Sequence, residues 1–275
     1  MRPIIKWPGG KSQLLDIIKE MLPEDYNTYY EPFFGGGAVL FGLIDKPAVV
    51  SDINPELINL YNQVKTNAAE VAGYLNVLDC LHEASNNPVD SPKDYYYKIR
   101  KEFNESLGSN TVAQAARFIY LNKHCFNGLY RVNKKGEFNV PFNGKVSGSS
   151  YNLDNLKKVS SRLQTVDLKC CDFEDTVKDA TKGELVFIDS PYAPLTPTSF
   201  IDYTKEGFSY EDHVRLAKLF KDLTDRGVYC MLTNHDTELI RELYKDYNIK
   251  VIDVRRSINR NGNDRKGKEV IITNY

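Results

Sequence analysis

The sequence predicts an α/β fold: a doubly wound, mostly parallel sheet interrupted by an inserted helical and hairpin lobe. Three observations predict it. Short apolar strands alternate with helices near the N-terminus, the alternation resumes after residue 151, and the stretch between is helical, polar and rich in tyrosine. These boundaries assign 1–64 and 152–275 to one domain and 65–151 to the insert. A chain of 275 residues exceeds the usual single-core size, which suits one large domain carrying a lobe.

The elements follow in order. Ser12 is read as the N-cap of a helix in which Leu14, Leu15, Ile18, Met21 and Leu22 recur at helical spacing before Pro23. The aromatic run YNTYYEPFF reads as extended, Gly35-Gly36-Gly37 as a tight turn, and AVLFGL as a helix. The short strand AVVSD closes on Asp52, and Asn54-Pro55-Glu56 supplies an N-cap, an N1 proline and a first-turn acid for the next helix. Beyond the insert, which ends in the hairpin-like NKKGEFNVPF and the loose NGKVSGSS, come QTVDLKCCDF, ELVFIDSPY, a helix from Ser209 to Asp225, VYCMLTN, a helix near TELIRELY, KVIDVRR and EVIITNY.

Doubly wound sheets bind ligands beyond the carboxyl ends of their strands, so residues that follow strand ends are the candidates for function. Four segments qualify. Gly35 and Gly37 admit a close backbone approach; Asp52, 17 residues past Gly35, is where an acid can accept from both hydroxyls of a ribose. Asp172-Phe173 offers an acceptor and a flat ring, and Asp189-Ser190-Pro191-Tyr192 follows a fourth strand. Singly, each has a plainer reading: a glycine triplet as a turn, an aspartate as a helix cap, Phe173 as core. Their recurrence at four strand ends is what points to a ligand site.

Other classes are disfavoured. PGGKS lacks the phosphate-loop glycine, since Ile5 stands five positions before Gly10. Cys80, Cys125, Cys170, Cys171 and Cys230 form no CxxC, so neither a zinc site nor a disulfide is expected, and no metal. MRPIIKWPGGK lacks an apolar signal region, and no run approaches the roughly 20 apolar residues of a membrane span, which predicts a cytoplasmic protein without a membrane partner.

A net charge of −1 hides two basic clusters. Residues 123–145 hold Lys123, Arg131, Lys134, Lys135 and Lys145 against Glu137; residues 254–268 hold Arg255, Arg256, Arg260, Arg265, Lys266 and Lys268 against Asp264. The first interleaves its cations with Phe126, Asn127, Leu129, Tyr130 and Asn133, a mixture suited to reading bases as well as phosphates.

KWPGGK, EPFFGGGAVLF, SDIN, FNGLYRVNKKGEFNVPF, IDSPY and LTNHD, in this order over nearly the whole chain, resemble the Dam-type DNA adenine-N6 methyltransferases. The resemblance implies a methyltransferase fold that uses S-adenosyl-L-methionine, with a target-recognition lobe inserted at 65–151, acting on double-stranded DNA and often on GATC. A restriction endonuclease is the further functional partner it admits. Trp7 and Lys11 would border the cofactor, Phe33 and the Gly35–Gly37 turn would line its methionine and ribose end, and Asp52 would bind the ribose. Asp172 and Phe173 would flank its adenine, and Asp189 would serve cofactor and target base together. In DNA, Arg131 would meet a guanine edge, Leu129 and Pro141 apolar base edges, Phe126 and Asn127 the disturbed base step, and Lys6 the outer guanine, with Lys134 in the same basic cluster.

Adenine N6 is a poor nucleophile because its lone pair is delocalised into the ring. Two acceptors against its two hydrogens favour a tetrahedral, nucleophilic amine; the Asp189 carboxylate and the Ser190 carbonyl would supply them, with Tyr192 as a stacking ring for the flipped base. The family usually has proline at position 190. Serine keeps the carbonyl, and Pro191 still biases Ser190 toward extended backbone, so activity is expected to be attenuated or normal. A DNA-binding module silent in catalysis is the contrasting reading, and methylation of RNA or of a protein amide a third.

Overall fold

The computed structural model describes residues 1–87, 90–195, 208–255 and 266–275. Of the second basic cluster, Arg256, Arg260, Asp264 and Arg265 lie outside the described residues, as do the side chains of Arg255 and Lys266.

Seven strands are present among the described residues: β1 (Tyr29–Glu31), β2 (Ala48–Ser51), β3 (Val166–Lys169), β4 (Leu185–Ile188), β5 (Tyr229–His235), β6 (Asn248–Arg255) and β7 (Lys266–Thr273). They form a mixed sheet in the order β3-β2-β1-β4-β5-β7-β6. The pairs β1–β2, β1–β4 and β4–β5 are parallel, whereas β7 runs antiparallel to both β5 and β6. Parallel neighbours need a crossover of about a dozen or more residues, which the intervening helices supply; β6 and β7 are consecutive and pair antiparallel. Every residue of β4 is buried, as expected for a strand covered on both faces.

The chain divides into two compact units: Met1–Leu22, Phe34–Asp45 and Ser51–Cys171 form the first, and Pro23–Phe33, Lys46–Val50 and Asp172–Tyr275 the second. In the first, α1 (Leu15–Met21) is preceded by a 3-10 turn over Lys11–Gln13, and its N-cap is Leu14 rather than Ser12. Packing buries the Lys11 side chain with its ammonium on the Gly9 carbonyl, and Leu14 N–H donates to Lys11 O, which closes this entry as a 3-10 turn. α2 (Ala38–Leu43) follows the glycine turn. Asn54 caps α3 (Pro55–Ala84) as the sequence predicts, but the helix is far longer than LINLYNQVK and breaks its helical dihedrals at Asn67. Ser91, Thr111 and Asn152 cap α4 (Pro92–Glu105), α5 (Val112–His124) and α6 (Leu153–Leu163). The hairpin-like segment forms isolated bridges, Val132 to Phe138 and Cys125 to Phe142, in place of strands.

In the second unit, α7 (Phe173–Val177) is short, and α8 (Tyr210–Asp225) starts in a capping box between Ser209 and Asp212. Leu216, Phe220 and Leu223 bury one stripe of α8 in a core shared with Val186, Ile188, Leu232, Val270 and Ile272. α9 (Glu238–Leu243) adds Ile240 to that core. Among the described residues no helix is long and apolar enough to cross a membrane.

Candidate active site

In the first unit the glycine turn is built around aromatic rings. Gly35 and Gly37 adopt φ of +48° and +67°, which side-chain-bearing residues rarely adopt. A Cβ on Gly35 would stand 2.6 Å from Trp7 Cδ1, and one on Gly37 2.6 Å from both Phe34 and Phe41. Glycine is thus required here by Trp7 and by neighbouring phenylalanines, a stricter demand than room for a ligand.

Asp52 closes this turn. Its Oδ2 accepts from Gly35 N–H and its Oδ1 from Asn54 N–H, each at 3.0 Å, while Tyr61 OH donates to the Gly35 carbonyl. Burial pushes the Asp52 carboxyl above its usual range, against the pull of those backbone donors. The next residue, Ile53, is 77% exposed and was given no role by the sequence. An acceptor at a strand end with an exposed aliphatic side chain beside it matches a nucleoside, a diol attached to a flat apolar base, so these residues fit S-adenosylmethionine. Lys11 is buried.

Trp7 links this turn to the basic segment of the same unit. Its ring stacks on Tyr130 at 5.1 Å between centroids, and Tyr130 meets Phe118 at a tilt with centroids 5.3 Å apart. Asn122 of α5 accepts from Lys6 N–H at 2.8 Å and donates from Nδ2 to the carbonyls of Lys6 and Gly128. Lys6 is thereby fastened beside the Phe126–Gly128 turn, and a Cβ on Gly128 would stand 2.6 Å from its side chain. Asn127 sits at φ +57° and Phe126 is 52% exposed, a large apolar side chain held out to solvent. Leu129 is half-buried; Lys134 and Pro141 are exposed. The Arg131 guanidinium is held from one side by Asn139, Nε to Oδ1 at 2.7 Å. Asn122 and Asn139 carried no sequence signal, because asparagine gives no hint of its partners before the chain folds.

In the second unit Asp172 caps α7 through Glu174 N–H, and its other oxygen accepts from Arg215 Nη2. Arg215 also donates to Glu174 and Asp212, and its guanidinium lies 4.2 Å from the Phe173 ring centroid. Phe173 is 4% exposed and stacks on Phe33 at 5.3 Å. The two plainer readings, helix cap and core ring, therefore both describe this strand end, and Arg215 is a neighbour the sequence did not single out.

The Asp189–Tyr192 segment leaves β4 and is fastened along the end of β5. Parallel register sets Ile188 beside Leu232, so Thr233 follows beside Asp189 and Asn234 beside Ser190. Thr233 Oγ1 donates to Asp189 Oδ1 at 2.8 Å. Asn234 Oδ1 accepts from Ala193 N–H at 2.8 Å, and its Nδ2 points to Ser190 Oγ at 3.5 Å. His235 Nδ1 lies 2.8 Å from the Ala193 carbonyl. Tyr192 donates its hydroxyl to Glu269 of β7 at 3.1 Å; burial, then the nearby carboxylates, push this phenol well above its usual range, so it stays a neutral donor. Ser190 is buried, Pro191 exposed, and Asp189 and Tyr192 half-buried. Among the described residues no group of three or more His, Cys, Asp or Glu could hold a metal ion.

Comparison with known proteins agrees with this chemistry. Residues 7–258 match the model of the D12 class N6 adenine-specific DNA methyltransferases. The chain is 41% identical to the Type II methyltransferase M1.LlaDCHI of Lactococcus lactis subsp. cremoris, over 100% of this chain and 96% of that protein. It is 40% identical to the Type II methyltransferase M.MjaIII of Methanocaldococcus jannaschii, over 100% and 99%. Identity to the DNA adenine methylase of Escherichia coli K12 is 36%, over 100% and 95%. With an acceptor-bearing strand end, a nucleoside-compatible turn and this match over its length, the chain belongs to the D12 class of N6 adenine-specific DNA methyltransferases and moves the methyl group of S-adenosylmethionine to adenine N6 in DNA.

Proposed function

We propose that this enzyme methylates the adenine of GATC in double-stranded DNA, with Asp189 and the Ser190 carbonyl as the acceptors for the two N6 hydrogens and Tyr192 as the stacking ring. The observation that carries the reading is the Asp189 carboxylate oriented by Thr233 at the end of a fully buried strand, followed at once by a carbonyl and a ring. When bound, S-adenosylmethionine supplies a methyl group on a positively charged sulfur, which keeps the electron pair of the broken bond and leaves as a thioether. Asp189 draws on one N6 hydrogen, so the nitrogen lone pair turns out of the ring plane, and the carboxylate is the nearest base for the proton that N6 sheds on gaining carbon. Glu269 holds the Tyr192 ring through its hydroxyl.

Asp52 accepts from the cofactor's ribose, with Trp7, Lys11, Phe33, Gly35 and Gly37 around its methionine and ribose end and Asp172 and Phe173 near its adenine. The fold is read as the doubly wound methyltransferase sheet, 1–64 and 152–275, with residues 65–151 as the DNA-recognition lobe; the break of α3 at Asn67 supports a boundary there. Within the lobe Arg131, steadied by Asn139, reads a guanine, a contact worth about 1–3 kcal/mol of discrimination. Lys6, Phe126, Asn127, Leu129, Lys134 and Pro141 make the remaining DNA contacts. GATC rests on the likeness of FNGLYRVNKKGEFNVPF to the Dam-type pattern, and a cytoplasmic location and a partner restriction endonuclease belong to the same reading.

Tritium transfer from labelled S-adenosylmethionine to a GATC duplex, compared with a scrambled duplex and with an Asp189→Ala variant, tests it. Incorporation is expected only in the GATC duplex and is lost in Asp189→Ala by about 100-fold or more, as for removal of a transition-state acceptor. Equal labelling of the scrambled duplex refutes the site, and an active Asp189→Ala variant refutes the role.

A further inference from the structure

The end of β5 does more than complete a sheet. Its last three residues run past the final paired residue of β4, and each meets the segment that follows that strand: Thr233 at Asp189, Asn234 at Ser190 and Ala193, His235 at Ala193. Thr233 and Asn234 are fully buried. A buried polar side chain in this setting is stabilised through the hydrogen bonds it makes.

A carboxylate on a single Cβ turns about two bonds. Holding one oxygen fixes the plane of the group and so the direction in which the second oxygen offers its lone pairs. The Thr233 hydroxyl, short and stiff at χ1, does this at 2.8 Å. Asn234 uses one oxygen to hold the N–H of Ala193 and of His235, at 2.8 and 2.9 Å, which anchors the backbone downstream of Ser190. Where the family commonly has proline, this chain has serine, and hydrogen bonds from β5 hold the segment.

We propose that Thr233 is a positioning residue for methyl transfer, its hydroxyl aiming the Asp189 carboxylate at the target amine, with Asn234 fixing the neighbouring backbone carbonyl. The inference rests on the role proposed for Asp189. It makes Thr233 matter to the chemical step more than to the capture of DNA or cofactor.

The test measures methyl transfer to unmethylated genomic DNA, steady-state and single-turnover, for wild type, Thr233→Val and Thr233→Ser. Valine keeps the branched shape and loses the donor; serine keeps the donor. Expected for Thr233→Val is a fall in kcat of about 10- to 100-fold, the scale of a misplaced reacting group. KM values, and equilibrium affinities for DNA and for S-adenosylhomocysteine, stay within about twofold, and Thr233→Ser recovers most of the rate, because the aim of the carboxylate counts in the transition state more than in ground-state binding. A Thr233→Val enzyme as fast as wild type overturns the inference. So does a loss shared equally by Thr233→Ser, or one that appears in KM and affinity alone. A wild type without incorporation would instead strike the methyltransferase reading beneath it, so the two failures are told apart.

Discussion

Asp52 and Gly35 are joined by a hydrogen bond of 3.0 Å, from the Gly35 N–H to Asp52 Oδ2, and this bond ties the acid at the end of β2 to the left-handed turn before α2. The same carboxylate holds Asn54 N–H through its other oxygen, so both oxygens are oriented by backbone. Asp52→Asn presents an amide to one of those two N–H groups and removes the charge that would accept from a ribose. Affinity for S-adenosylmethionine is expected to fall by about 1.5–3 kcal/mol, the range for a hydrogen bond to a charged group, with DNA affinity little changed. Titration calorimetry with the cofactor and, separately, with DNA checks both halves.

Gly35→Ala meets two obstacles at once. At φ +48° an L side chain is strained, and its Cβ would stand 2.6 Å from Trp7 Cδ1. The conformation alone costs roughly 1–2 kcal/mol, and displacing the ring adds to it. If the ring is the obstacle, the same change made in a Trp7→Ala background costs less, leaving only the backbone part. A double-mutant cycle on unfolding free energies measures the difference; strictly additive values would contradict it.

Ser190→Pro is expected to leave the methyl transfer rate within about tenfold of wild type. Proline at a compatible site contributes roughly 0.4–1 kcal/mol, chiefly through the unfolded chain. The segment is already held by Thr233, Asn234, His235 and Glu269. A much larger gain in rate would mean that this network leaves the segment loose.

His213, in the first turn of α8, is buried, and that burial lowers its pKa from 6.5 to about 4. A histidine whose folded pKa lies below its unfolded value stabilises the fold fully above about pH 6.5 and progressively less as pH falls toward 4, because the unfolded chain takes up the proton first. The loss amounts to about 3 kcal/mol across that window. Unfolding free energies of wild type and His213→Leu, measured from pH 7 to 4, are expected to diverge with that sign, the variant lacking this part of the slope.

Much of the fold is legible in the sequence. Asn54-Pro55-Glu56 announces a helix start through short-range hydrogen bonding, which depends on neighbours within a few residues, and the helix read from Ser209 opens in the same way. The apolar run ending at Asp189 announced a buried strand for a similar reason. Ser12 misled because the burial of Lys11, a long-range consequence of packing, turned the helix start into a 3-10 turn. The hairpin-like segment forms isolated bridges, and the Asn133 and Asn143 side chains accept from the backbone N–H groups of Glu137 and Lys145 in place of strand partners.

By itself the sequence determined the alternating architecture, the acids at the strand ends and the basic, aromatic segment from Lys123 to Lys145, since these follow from local periodicity, composition and spacing. Only the tertiary structure decided what holds them. Thr233 beside Asp189, Glu269 beside Tyr192, Asn122 beside Lys6 and Arg215 beside Asp172 join residues dozens of positions apart or more. Such partners become neighbours only through strand register and helix packing, and those are set by the burial of the whole core rather than by any short stretch of chain.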